Sequence, residues 1–132
     1  MRALSVKLSI SILFIMLGAH HAAAGEYEIG QNKMRFTANG KKIDVLRINV
    51  GDTVRFKNED PFYHGIYSLS DINTFELEAF RKGQTRSVIF NKAGRAEIEC
   101  AVHADMYLVI DVHDINETNE AKASERDIGA AQ

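Results

Sequence analysis

The stretch from Gly94 to Val112, GRAEIECAVHADMYLVIDV, alternates apolar and polar residues on either side of a short turn. Successive side chains of a strand point to opposite faces, so Ala96, Ile98 and Cys100 share one face of the first half. Met106, Leu108, Ile110 and Val112 share one face of the second half. Two neighbouring strands with a buried aliphatic face follow, with Glu97, Glu99 and Asp111 on the solvated side. The same phase turns both sulfur-bearing residues that flank the turn, Cys100 and Met106, toward the interior.

The chain upstream behaves alike. Ile43 to Val50 reads as a strand leading into the turn pair Gly51-Asp52, after which Val54 and Phe56 alternate with Thr53, Arg55 and Lys57. Gln84 to Asn91 places Val88 and Phe90 on one face before Lys92-Ala93-Gly94 turns the chain. No convincing amphipathic helix interrupts this run of short β-compatible segments. Turn signals recur roughly every ten residues over about 90 residues, which predicts an all-β protein built as a two-sheet Greek-key β-sandwich.

Composition sets the outer bounds. The 132 residues are 45% hydrophobic and 26% charged, the profile of one small globular unit and not of a disordered chain or a multi-pass membrane protein. Sixteen Lys and Arg against 18 Asp and Glu give a formal net charge of −2, with no long run of like charge, which disfavours a nucleic-acid partner. Arg2 and Lys7 precede the apolar stretch from Leu8 to Ala19, and Ala22 and Ala24 supply small side chains before Gly25. That pattern is a secretory signal peptide over 1–24, cleaved after Ala24, because a run of 12 apolar residues is too short to cross the roughly 30 Å hydrocarbon core as a helix. The mature chain would carry 14 basic and 18 acidic residues, a net charge of −4, and no membrane anchor. The domain would span 25–115. The polar segment 116–132, rich in Ala, Glu and Asn, reads as a mobile tail. Nothing signals homo-oligomerisation, and a monomer is the expectation.

A single cysteine in an exported chain is a free thiol, an intermolecular cross-link or a metal ligand. Its surroundings bear on the choice. Cys100, His103 and Met106 stand at C-x-x-H-x-x-M spacing in one tight loop, a thiol, an imidazole and a thioether together. Copper suits that set, since thiolate and thioether favour Cu(I), imidazole accepts either oxidation state, and a trigonal His₂Cys site with a long axial Met is the blue-copper arrangement. A second histidine is then required, and His64, at the end of Asn58-Glu59-Asp60-Pro61-Phe62-Tyr63, is the candidate.

These residues resemble those of the cupredoxins, particularly the small bacterial plastocyanin-like and amicyanin-like proteins. The resemblance runs from Gln31 to Val112. It includes Val50-Gly51-Asp52-Thr53-Val54-Arg55-Phe56-Lys57-Asn58-Glu59-Asp60, then His64, the Phe75 to Phe80 stretch ahead of Gly83, the Gly94 to Cys100 strand and the short ligand loop. It implies His64, Cys100 and His103 as equatorial ligands of one copper ion and Met106 as the axial one. It implies further a periplasmic single-electron carrier, not an enzyme, that cycles between Cu(I) and Cu(II) and meets redox partner proteins transiently through the His103 edge. The chain departs from the family in two places. Gly65 stands where an Asn usually ties the two ligand loops together, and Ala104-Asp105 stands where many relatives have Pro after the ligand histidine.

Other readings use the same residues. A periplasmic copper chaperone or homeostasis protein would sequester metal with this ligand set, although such proteins often carry Met- and His-rich tracts and residues 25–132 hold only Met34 and Met106 with three histidines. A metal-free β-sandwich binding module would leave Cys100 a buried thiol. Pro61, Phe62, Tyr63, Ala104 and Tyr107 could form an apolar rim, with core packing of Phe62 and Tyr63 equally consistent. Met34 reads as strand packing, His113 as a solvent-side residue, and Arg81, Lys82 and Arg86 as a solvated edge.

Overall fold

In a computed structural model, which describes residues 23–115, ten strands form two sheets of five. The first sheet contains β1 (Glu26–Gln31), β2 (Phe36–Ala38), β3 (Lys41–Lys42), β5 (Thr53–Asn58) and β8 (Thr85–Ile89), in the order β3-β2-β1-β5-β8. The second contains β4 (Val45–Asn49), β6 (His64–Ser68), β7 (Phe75–Phe80), β9 (Gly94–Cys100) and β10 (Tyr107–His113), in the order β4-β10-β9-β6-β7. This is the expected two-sheet sandwich. Both sheets are mixed, because β1 pairs in parallel with β5 and β4 in parallel with β10. The proposed signal peptide, except for Ala23 and Ala24, and the segment 116–132 lie outside the described residues.

The core follows the alternation. Val54, Phe56, Ala96, Ile98, Leu108, Ile110 and Val112 are buried as their phase requires, joined by Phe36, Phe80 and Phe90. Full burial of each large apolar side chain contributes about 1.5–3 kcal/mol. The strand expected from Ile43 to Val50 is shorter in the structure. The Ile43 amide donates to Phe36 O on the first sheet, while Asp44 O accepts from the Val109 amide on the second, so the chain changes sheets between them. The segment from Gln84 to Asn91 likewise has regular strand only over Thr85–Ile89, with Phe90 bonded through both main-chain groups to Gly51 and Asp52.

The Gly51-Asp52 turn is more than a punctuation mark. Gly51 has φ +93°, a left-handed conformation that suits glycine. The buried Asp52 carboxylate accepts from the Asn49 amide at 2.8 Å and from the Gly25 amide at 2.6 Å, closing the turn and fixing the start of β1. At the opposite ends of β5 and β9 the chain builds the candidate site.

Candidate metal centre

Cys100 and Met106 close the β9–β10 hairpin. The ladder pairs Tyr107 with Glu99 and Leu108 with Ile98, and the Cys100 amide donates to Met106 O at 3.2 Å, so the two sulfur residues face each other across the strands. Directly opposed side chains in an antiparallel pair lie on one face. Both point inward, Cys100 at 4% exposure and Met106 at 1%. Between them the Met106 amide donates to His103 O at 3.0 Å, a tight turn that brings the His103 ring back over the end of β9.

His64 arrives from the other side. Asn58, fully buried at the end of β5, accepts the Asp60 amide at its Oδ1 and donates its Nδ2 to Phe62 O and Phe80 O, at 2.8, 2.7 and 2.9 Å. This local turn of the main chain about an Asn side chain delivers His64 to the first position of β6. There the pairing with β7 is irregular: the register advances by two residues on β6 and three on β7 between His64 and Ile66. The extra residue on β7 lets Phe80 and Leu77, three apart, both face the core opposite His64 and Ile66, which are fully buried. Ile66 lies beside Cys100 in the ladder, and the Ala101 amide donates to Gly65 O at 2.9 Å. Main chain therefore ties the two candidate ligand segments together at Gly65.

The candidate ligand atoms converge. Cys100 Sγ lies 3.4 Å from His64 Nδ1 and 3.7 Å from His103 Nδ1. The donor atoms of all three residues lie within 4.8 Å of one another, and the imidazole centroids are 4.8 Å apart. With bonds of about 2.3 Å to thiolate sulfur and about 2.0 Å to imidazole nitrogen, the lengths seen at zinc, one ion would hold S and N about 3.5–3.7 Å apart. The structure is close to that without rearrangement. The donor chemistry, one thiol, two imidazoles and a buried thioether at the adjoining position, fits copper better than a hard cation.

Electrostatics distinguish the two histidines. Burial pushes His64 below its ordinary pKa of 6.5, prevailing over Asp60, which acts to raise it, while His103 adds a further push downward. Asp60 sits below its ordinary 3.8 although its own burial works the other way. The Met34 amide, the His64 ring and the Lys33 amide all donate to its carboxylate and outweigh that burial. A neutral His64 beside an ionised Asp60 is the state the surroundings favour. His103 is half-buried, and Phe62 packs against both rings, with centroids 5.4 Å from His64 and 5.1 Å from His103.

The surface around His103 differs from the sequence reading. Met34, expected in strand packing, stands 49% exposed in the β1–β2 turn. Lys33 and Met34 both take left-handed backbone conformations there, with φ 54° and 55°, which lifts the Met34 side chain off the strand. A recess of about 590 Å³ is lined by Lys33, Met34, Arg35, Lys42, His103, Ala104 and Asp105. Phe62, Tyr63, Val102 and Tyr107 are exposed large apolar residues, which favours the rim reading over core packing for Phe62 and Tyr63. His113 is exposed on β10, as its phase implies, and Arg86 lies over the Phe80 ring at 5.5 Å. The residue that sequence reasoning passed over is Asp60. The sequence offers only its spacing, two residues after Asn58 and four before the candidate ligand.

A sandwich of this strand order with a His-Cys-His cluster at one end is cupredoxin-like. Among solved structures the chain is similar to amicyanin from Paracoccus versutus, at 24% identity and TM-score 0.59 over 70% of this chain and 85% of that one. It is similar also to a Cu(I) form of an amicyanin variant, at 22% identity and TM-score 0.59 over 70% and 86% of the two chains. Copper-containing nitrite reductase from Thermus scotoductus matches at 24% identity and TM-score 0.60, over 75% of this chain but 25% of the reductase. No protein-family profile and no curated protein sequence matches the chain.

Proposed function

We propose that the protein is a single-electron carrier with one copper ion held by His64, Cys100 and His103, with Met106 as a weak axial ligand. The observation that carries the reading is the buried Cys100 thiol lying 3.4 and 3.7 Å from two imidazole Nδ1 atoms. When bound, copper supplies the Cu(I)/Cu(II) couple. The chain supplies everything that makes the couple usable. Cys100 gives up its proton to bind, so metal affinity falls in acid. His64 and Cys100 are set in β6 and β9, paired strands of one sheet, and Met106 closes the hairpin, which limits ligand movement between oxidation states. Phe62 packs against both rings. His103, the more exposed imidazole, faces the recess and gives electrons their way in and out. Exposed Phe62, Tyr63 and Val102 beside it suit brief contacts of small area with a partner protein.

Export to the periplasm belongs to the same reading and rests on the Arg2 to Ala24 pattern. Among the described residues no helix is long and apolar enough to cross a membrane. The experiment that separates a carrier from a copper chaperone measures two rates on the copper-loaded protein. Fast electron self-exchange, read from NMR line broadening in mixed oxidation states, with slow loss of Cu(I) to bicinchoninate, supports the carrier. Slow exchange with rapid surrender of Cu(I) overturns it.

A further inference from the structure

We propose that Asp60 is the positioning residue of this site, a buried carboxylate that presents His64 Nδ1 to the metal position and fastens the ligand to the β1–β2 turn bordering the His103 recess. The inference deepens the copper reading and rests on it for its functional meaning, but its geometry does not need the metal.

The Asp60 side chain is 6% exposed and that of His64 fully buried. A carboxylate removed from water is costly unless its oxygens are satisfied, and here three N–H groups satisfy them. Oδ2 accepts from His64 Nε2 at 2.9 Å and from the Met34 amide at 3.0 Å, and Oδ1 accepts from the Lys33 amide at 2.6 Å. The backbone of Asp60 is fixed in turn by its amide bond to Asn58 Oδ1. An ionised carboxylate can only accept, so the His64 ring carries its proton on Nε2 and leaves the Nδ1 lone pair free. That lone pair faces Cys100 Sγ at 3.4 Å. Without metal the Cys100 S–H can donate to that lone pair, and an ion that displaces the proton meets a nitrogen already aimed.

The second half of the arrangement involves the turn. Lys33 and Met34 are consecutive non-glycine residues at φ 54° and 55°, the two-residue hairpin loop closed by reciprocal main-chain bonds between Asn32 and Arg35; without glycine that loop costs energy, which bonds to Asp60 help offset. Their two successive amides form a concave anion-binding nest whose anion is the Asp60 carboxylate. One side chain thereby joins the buried ligand His64 to the wall of the recess beside the exposed ligand His103. Gly65 removes the side-chain tie usual in the family. Asp60 supplies orientation by a different route, while the Ala101-to-Gly65 main-chain bond holds the strands.

The test begins with the metal-free protein and ¹⁵N NMR of the His64 ring. The expected state is the Nε2–H tautomer, with slow solvent exchange at the Lys33 and Met34 amides. In Asp60→Ala the ring should populate both tautomers, the two amides should exchange faster, and Cu(I) affinity against bicinchoninate should fall about 10–100-fold, the usual penalty for losing a carboxylate behind a ligating histidine. Asp60→Asn, nearly isosteric, keeps one oxygen for the His64 and Met34 donors but turns an NH₂ toward the Lys33 amide, so it should retain the tautomer, speed exchange at Lys33 and lose less affinity than Asp60→Ala. An Nδ1–H tautomer in the unsubstituted protein overturns the inference. So does Asp60→Ala with unchanged tautomer, exchange and affinity. If the tautomer depends on Asp60 but the unsubstituted protein binds no copper, the copper reading fails and the positioning geometry stands.

Discussion

A chain that starts at Gly25 should be measurably more stable than the same chain with an acetylated amino terminus. The Gly25 nitrogen lies 2.6 Å from Asp52 Oδ1, the same carboxylate accepts from the Asn49 amide, and Gly25 O accepts from the Thr53 amide at 2.9 Å. Gly25 is held tightly enough that a Cβ would approach Tyr27 Cε2 to 3.1 Å and Asp52 Oδ1 to 3.2 Å. With a free terminus this nitrogen is an ammonium facing a carboxylate that is 3% exposed. Acetylation keeps an N–H donor and removes the charge. An ordinary hydrogen bond contributes about 1 kcal/mol net and one between charged groups about 1.5–3 kcal/mol. Partial exposure of Gly25 reduces the difference to about 1 kcal/mol, which is about 4–8 °C in Tm for a domain of this size. The sign with pH is fixed. An α-ammonium has an ordinary pKa of about 7.7–8.0, and a carboxylate partner raises it in the folded state, so the added stability is fully present below that value and disappears as pH rises through the folded one. Thermal unfolding of both forms at pH 6.5 and at alkaline pH, with and without Asp52→Asn, measures it. Equal Tm values at pH 6.5, or a difference that survives Asp52→Asn, would refute the reasoning.

Other consequences can be checked on the same protein. Gln31 is fully buried at the end of β1 with neither amide atom hydrogen-bonded, so Gln31→Met should leave stability unchanged or raise it by about 1–3 kcal/mol in urea unfolding; a loss of that size would mean the amide is satisfied in solution. Because burial holds His64 below 6.5, the unfolded metal-free chain takes up its proton first, and stability should fall as pH drops below 6.5. Asp60, held below 3.8, adds stability above that value which is lost as pH falls through its folded pKa. A urea midpoint that rises between pH 7 and pH 5, or an acid slope unchanged in His64→Gln, contradicts this. Lys33 and Arg35 border the recess and make no ion pair among the described residues, so oxidation of the copper-loaded protein by anionic hexacyanoferrate(III) should slow about tenfold in Lys33→Glu/Arg35→Glu, with the sign of its salt dependence reversed. Equal rates would place the electron route elsewhere.

Much of the sandwich was legible because the sequence states it locally. The phase of Ala96, Ile98 and Cys100 against Met106, Leu108, Ile110 and Val112 requires only neighbours along the chain, and it placed both sulfurs inside. Ile43 to Val50 was read too long for a related reason: branched aliphatics interrupted by Asp44, Arg47 and Asn49 look the same whether the segment stays in one sheet or passes between two, and the crossing at Ile43–Asp44 is set by partners in β2 and β10. The parallel pairing of β1 with β5 joins segments 27 residues apart and leaves no local trace. Three of the four candidate ligands stood out by spacing, and His64 by resemblance alone. Asp60 was hidden because its role exists only once the β1–β2 turn folds over it and supplies two main-chain amides. Met34 was misplaced because Lys33 and Met34 are the two-residue loop of the β1–β2 hairpin, closed by reciprocal main-chain bonds between Asn32 and Arg35, and no glycine at either position announces its left-handed φ values.

The most direct test of the central claim is the visible and electron paramagnetic resonance spectrum of the protein with one equivalent of Cu(II), beside Cys100→Ser. The account predicts an intense thiolate-to-copper absorption that ascorbate bleaches and an oxidant restores, absent in Cys100→Ser. A colourless sample with no bound copper would contradict it and leave a β-sandwich whose buried thiol requires another explanation.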